Sequence, residues 1–139
     1  MTGDATPASE ALSDFSARCD AIEEAYEFML AYAAQGLPTD AGSTAGSQIR
    51  EFLRKCDGAF TGLTDALTAC ARERSADTTG PYDAFIAVLD RDVRSAQAAV
   101  QLVLAQPSVG SQLVDNLNAS IHLRAVLTDL FLLDEVLKR

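Results

Sequence analysis

The chain has 139 residues, a length that suits one domain around a single core and is short for two. Hydrophobic residues make up 48% and aromatics only 6%, with no Trp, so Ala and Leu, both strong helix formers, carry the core. A formal net charge of −9 without any Lys/Arg-rich run argues against nucleic acid and against anionic membrane surfaces, because the electrostatic term is repulsive for both.

The charge is unevenly spread. Residues 1–36 hold seven acids against Arg18, a local sum of −6, whereas 37–79, 80–106 and 107–139 each sum to −1. Acidity therefore belongs to the first helix. No run approaches about 20 apolar residues, so no membrane span is predicted. The opening Met1-Thr2-Gly3-Asp4-Ala5-Thr6-Pro7 lacks the basic and apolar blocks of a secretory leader. Cys19, Cys56 and Cys70 have no Cys-x-x-Cys spacing and read as reduced core thiols of a cytoplasmic protein.

Residues 1–6 read as a disordered tail and 7–139 as one domain. The first helix is predicted over 7–36, with Thr6 as N-cap and Pro7 at its first position. Its seam is Leu12, Phe15, Cys19, Ile22, Tyr26, Met29 and Ala33, at three-four spacing. Gly36, Leu37 and Pro38 stop it: a left-handed glycine, a hydrophobic fold-back and a breaker.

The second helix is predicted over 46–74, capped by Thr44 or Ser47, on a seam of Ile49, Phe52, Cys56, Ala59, Leu63, Ala66 and Cys70. Gly58 and Gly62 fall inside it, each costing up to ~1 kcal/mol, and with Ala66 and Cys70 form a row of small residues suited to close helix approach. Pro81 opens a third helix over 81–106, with Asp83 in the first turn and a seam of Tyr82, Ile86, Leu89, Val93, Ala96, Val100 and Val103. Pro107 ends it, and Ser108 or Ser111 caps a fourth helix over 109–137.

Four helices of about 26–30 residues, each about 40 Å long and joined by short loops, predict an all-α, antiparallel up-down-up-down four-helix bundle. A three-helix array with one helix swapped into a dimer is the alternative topology.

The fourth helix is unusual. Its first half places Leu113, Val114, Leu117 and Ile121 on one face, but the second half is apolar nearly all round. Such a helix seeks burial on more than one side. The expected interaction surface is Val126, Leu130, Leu132, Leu133, Val136 and Leu137, joined by Phe28 and Tyr32 from a flank of the first helix. The competing reading makes these residues core or scattered exposure. Asp20, Glu24 and Glu27 form an acidic face that is either simply solvated or speeds docking of a basic partner.

Catalytic patterns are sparse. No Glu-x-x-His supports a di-iron centre, no Cys-x-x-Cys-His a covalent haem, and Gly42-Ser43-Thr44-Ala45-Gly46 lacks the ending of a phosphate loop. No cofactor is expected. His122, the single histidine, lies beside Asn118 and in line with Asp115 and Asp129, but lacks the slim, lysine-containing flank of a phosphotransfer histidine. Arg50, Arg54 and Lys55 make a small basic patch that pairs with nearby acids or binds an anion.

The pattern as a whole predicts a non-catalytic protein–protein interaction module, with a protein partner or a second copy of the chain. The alternative is a ligand- or cofactor-binding bundle with a pocket near Tyr26, Tyr82, Met29 or His122, and phosphotransfer at His122 is a third possibility.

Overall fold

The computed structural model describes residues 7–74 and 80–137. The expected tail at 1–6, the Thr6 cap and most of the loop after Arg74 lie outside the described residues. Among the described residues the regular structure is entirely helical: α1 (Pro7–Ala33), α2 (Thr44–Phe60), α3 (Leu63–Arg74), α4 (Pro81–Leu104), α5 (Ser111–Ala119) and α6 (Ile121–Leu137). No helix among the described residues is long and apolar enough to cross a membrane.

The six helices among the described residues pack against one another. The four uninterrupted helices expected from periodicity become six because the second and fourth each break once. The first break falls at Thr61-Gly62, where Thr61 leaves the helix at φ −66°, ψ 114° and Gly62 takes φ +86°. That left-handed conformation is open to glycine and strained for other residues, so Gly62 ends a helix rather than sitting inside one. Gly58 remains helical with open space beside its Cα.

Neighbouring helices satisfy the backbone groups this break releases. The Arg18 guanidinium of α1 donates to the carbonyls of Thr61 (2.6 Å), Gly58 and Ala59 (3.4 Å each). From α4, Gln97 donates to the Asp57 carbonyl and to Thr61 Oγ1, at 3.1 and 2.9 Å. Three helices are pinned at one level.

The second break falls at Ser120 (φ −63°, ψ 150°), whose N–H turns back to the carbonyls of Asn116 and Leu117 and whose hydroxyl donates to Leu117 O at 2.6 Å. Serine here offers the backbone a local alternative to the helical ladder. The break re-aims the chain: α5 packs chiefly on α1, whereas α6 packs chiefly on α4 and touches α1 only sparingly. It also re-phases the apolar stripe. Ile121, expected on the buried face, is 68% exposed, and the seam of α6 becomes Leu123, Val126, Leu127, Leu130 and Leu133.

Local registers run in opposite directions. Arg18 reaches residues 58–61 while Phe28 stacks on Phe52 with ring centroids 4.2 Å apart, so α1 and α2 are antiparallel. Tyr32 faces Val109 and Met29 faces Asn118, giving the same relation between α1 and α5. The core gathers Phe15, Ile22, Met29, Tyr32, Leu53, Phe60, Leu67, Leu89, Val100 and Leu123 with their neighbours. Five of the seven positions in the expected 81–106 seam are buried; Tyr82 and Ile86 are half-buried.

One end of the bundle is tied by polar contacts. Asp40 accepts from Val109 N at 2.9 Å and pairs with Arg50 at 3.0 Å, while Arg50 also donates to the Leu104 and Gln106 carbonyls. The Val109 N–H and then Arg50 hold the Asp40 carboxyl below its usual range despite its burial. Ser111 was expected as a cap; its hydroxyl instead donates to Tyr32 O at 2.6 Å and accepts from Leu37 N, and Gly110 is the N-cap. Likewise Ser43, not Thr44 or Ser47, caps α2, accepting from Gly46 N at 2.9 Å. Gly36 does take the left-handed turn, at φ +67°.

Candidate functional site

At the opposite end, the divergence of α6 from α1 leaves a groove between them. Its wider part, about 480 Å³, is floored by Phe15, Cys19 and Leu130 and edged by Leu12, Phe131 and Leu137, with Asp20, Glu23 and Asp134 on the rim. A narrower continuation of about 280 Å³ runs past Tyr26, Glu27, Arg124, Leu127 and Thr128. Glu23 and Phe131 line both parts, so the two adjoin along the α1–α6 seam and are described together as a trough.

The lining positions on α1 (12, 16, 19/20, 23, 26/27) and on α6 (137, 134, 130/131, 127/128, 124) each follow helical spacing, in opposite directions. From Leu12 to Glu27 the trough is about 22 Å long at 1.5 Å per residue. Leu12 is 40% exposed and Phe131 61%, which leaves large apolar surface in water beside an otherwise closed core.

The acids along α1 make this trough electronegative. Asp20, Glu23 and Glu27 have no ion-pair partner among the described residues, in contrast to Asp14, paired with Arg18, and Asp40, paired with Arg50. Burial raises the Glu23 carboxyl above its usual range, and Asp20, Glu27 and Asp134 add to that in the same direction. The Cys19 thiol is pushed up to about 12, by burial first and then by Glu23, Asp20 and Asp134. It stays protonated at neutral pH, which makes it a weak nucleophile. Cys56 is buried and likewise pushed up to about 12, by burial and Asp57.

The expected interaction residues divide. Val126, Leu130, Leu133 and Tyr32 are buried core side chains, which corrects their reading as surface. Tyr32 is wholly buried because its hydroxyl finds a partner there, donating to Val109 O at 2.7 Å. Leu132 is 52% exposed, whereas Val136, Leu137 and Phe28 are half-buried, Phe28 stacked on Phe52. Asp20, Glu24 and Glu27 are all exposed. Phe131 and Leu12, which line the trough, were not singled out as surface. The available signal was that Phe131 lies off the seam running through 123, 126, 130 and 133.

The other candidates are drawn elsewhere. His122 is half-buried at the second position of α6; Asn118 lies across the Ser120 break and donates to Met29 O at 3.0 Å, and Asp129 contacts Asp92 of α4. Met29 is sealed in the core, and Tyr26 edges the narrow part of the trough. Of the basic patch, Arg50 serves the Asp40 network and Lys55 pairs with Glu51 at 3.5 Å. No three metal-ligating side chains converge among the described residues.

Asp129 is nearly buried, and one of its carboxyl oxygens has no hydrogen-bond partner among the described residues. Burial, with a hydrogen bond to Asp92 and that residue's charge, pushes it up to about 7. Asp92 lies against it from α4, and its charge favours the protonated form of Asp129. Compared with protein-family models, curated proteins and solved structures, the chain matches none.

Proposed function

We propose that this protein is a non-catalytic protein–protein interaction module whose working surface is the α1–α6 trough. The observation that carries the reading is Phe131, 61% exposed on the lip of an apolar trough, with Leu132 at 52% beside it. Exposed large side chains flanking an apolar concavity are what a helix-docking surface presents before it is filled. We read the six helices as four antiparallel rods in up-down-up-down order, two of them broken, with the break at Ser120 opening the surface. Thiol chemistry at Cys19 and Cys56 is suppressed, which suits reduced structural cysteines in a cytoplasmic setting.

A protein partner is favoured over a second copy. Two copies meeting through the same patch would set Asp20, Glu23 and Glu27 of each against those of the other. The test is affinity purification of the full chain, wild type against the Phe131→Glu/Leu132→Glu pair. The reading expects a protein held near one-to-one by wild type and lost from the variant. A variant that retains every partner, or a wild type accompanied only by a small molecule, overturns it.

A further inference from the structure

Resting on that reading, we infer that the trough seats one amphipathic helix of about four turns from a partner protein. Its apolar face lies on Leu12, Phe15, Leu130 and Phe131, and its flank of Lys and Arg lies along Asp20, Glu23 and Glu27.

Shape, length and charge each limit the occupant. The walls are two antiparallel helices whose side chains recur every three to four residues, the spacing into which a third helix interdigitates. A trough of about 22 Å matches about fifteen helical residues at 1.5 Å each. An extended strand would find no unpaired backbone edge to join, because both walls satisfy their own hydrogen bonds. A small ligand would cover only a fraction of a trough this long and open.

Charge then selects the helix. Asp20, Glu23 and Glu27 occupy successive turns of α1 along one wall, and Arg124 is the only base among the lining residues. These acids have no cation of this chain's described residues to release, so a basic flank meets them without breaking an existing pair. An acidic helix would be repelled. A neutral one would leave Glu23, already partly desolvated, further from water with nothing in return.

The experiment uses the full chain and two labelled helical peptides of about fifteen residues. Both carry Leu on one face; the other face is Lys in the first and Glu in the second. Fluorescence anisotropy is read at 50 and 300 mM salt. The Lys peptide is expected to bind, to weaken at high salt, to weaken about tenfold with Phe131→Ala and about fivefold with Glu23→Gln/Glu27→Gln. The same loss of two charges at Asp65 and Asp115, exposed and outside the trough's lining, by Asp65→Asn/Asp115→Asn, is expected to change affinity less than twofold. Equal binding of the Glu peptide with sensitivity to Phe131→Ala overturns the basic partner while leaving the docking face standing. Lys-peptide binding indifferent to Phe131→Ala and to the choice of acid pair identifies general charge attraction and overturns the inference. So does no binding, the docking face then being judged by the purification above. Self-association abolished by Phe131→Ala assigns the trough to a second copy and also overturns it.

Discussion

Replacing Asp129 with Asn removes a buried carboxyl that the fold holds above its usual range. The side chain is 9% exposed, one oxygen lacks a hydrogen-bond partner among the described residues, and Asp92 lies against it from α4. The folded state favours the protonated form, raising it from 3.8 to about 7. Its contribution to stability is therefore complete below pH 3.8 and is lost as pH climbs through about 7. At about 1.4 kcal/mol per pH unit the ceiling is about 4 kcal/mol. Water reaching the pair as the helices relax reduces this, and about 2 kcal/mol is expected. Asn keeps a donor for Asp92 and never ionises. Asp129→Asn should match wild type within about 0.5 kcal/mol at pH 3 and exceed it by about 2 kcal/mol at pH 8, a gain of about 6 °C in melting midpoint. Urea unfolding of both proteins across that range checks this, the difference between them cancelling other titrations. A pH-independent difference, or a variant less stable at pH 8, refutes the raised Asp129 carboxyl.

Three more outcomes follow from the breaks and the tied end. Gly62→Ala forces φ +86° on a side chain and should cost about 1 kcal/mol, whereas Gly58→Ala, in helical backbone with open space, should gain about 0.5–1 kcal/mol; urea midpoints separate the two. Arg18→Ala strips three carbonyls of their partner and should cost about 2 kcal/mol, and Arg18→Lys, with one compact charge in place of the guanidinium fork, should restore less than half by the same assay. Asp40→Asn loses the charge between Val109 N and Arg50 and should cost about 2 kcal/mol at pH 7. Because the Asp40 carboxyl is lowered in the fold, its contribution is present above pH 3.8 and fades below it, so wild type and variant should converge toward pH 2.

The helices were legible where breakers mark them. Gly36 before Leu37-Pro38 and Gly80 before Pro81 announce a stop and a start by backbone chemistry alone, and the seam from Leu89 to Val103 survives intact. The internal breaks were not legible, because their causes are tertiary. Gly62 reads as a tolerable helix glycine until Arg18 and Gln97 arrive from other helices to satisfy the opened carbonyls. Ser120 carries no stronger stop signal than Ser95, which stays helical inside α4. Once the chain turns at Ser120, the wheel drawn through residues 109–137 loses phase. For that reason Ile121 moves to solvent while Val126, Leu130 and Leu133 form the core side of α6. The apolar surplus of the fourth helix was real in composition but resolves into a buried seam plus Phe131 and Leu132. Tyr32 was misplaced because a hydroxyl at a flank position reads as exposed until Val109 O supplies its partner.

The α1–α6 face is tested most directly by placing a photo-crosslinking amino acid at Phe131, with Leu102, 66% exposed on α4, as the matched control. Irradiation in cell extract followed by mass spectrometry should give one discrete protein adduct at position 131, its crosslinked peptide basic and amphipathic, and none at 102. A diffuse adduct pattern shared by both positions, or adducts at 102 alone, would contradict the account.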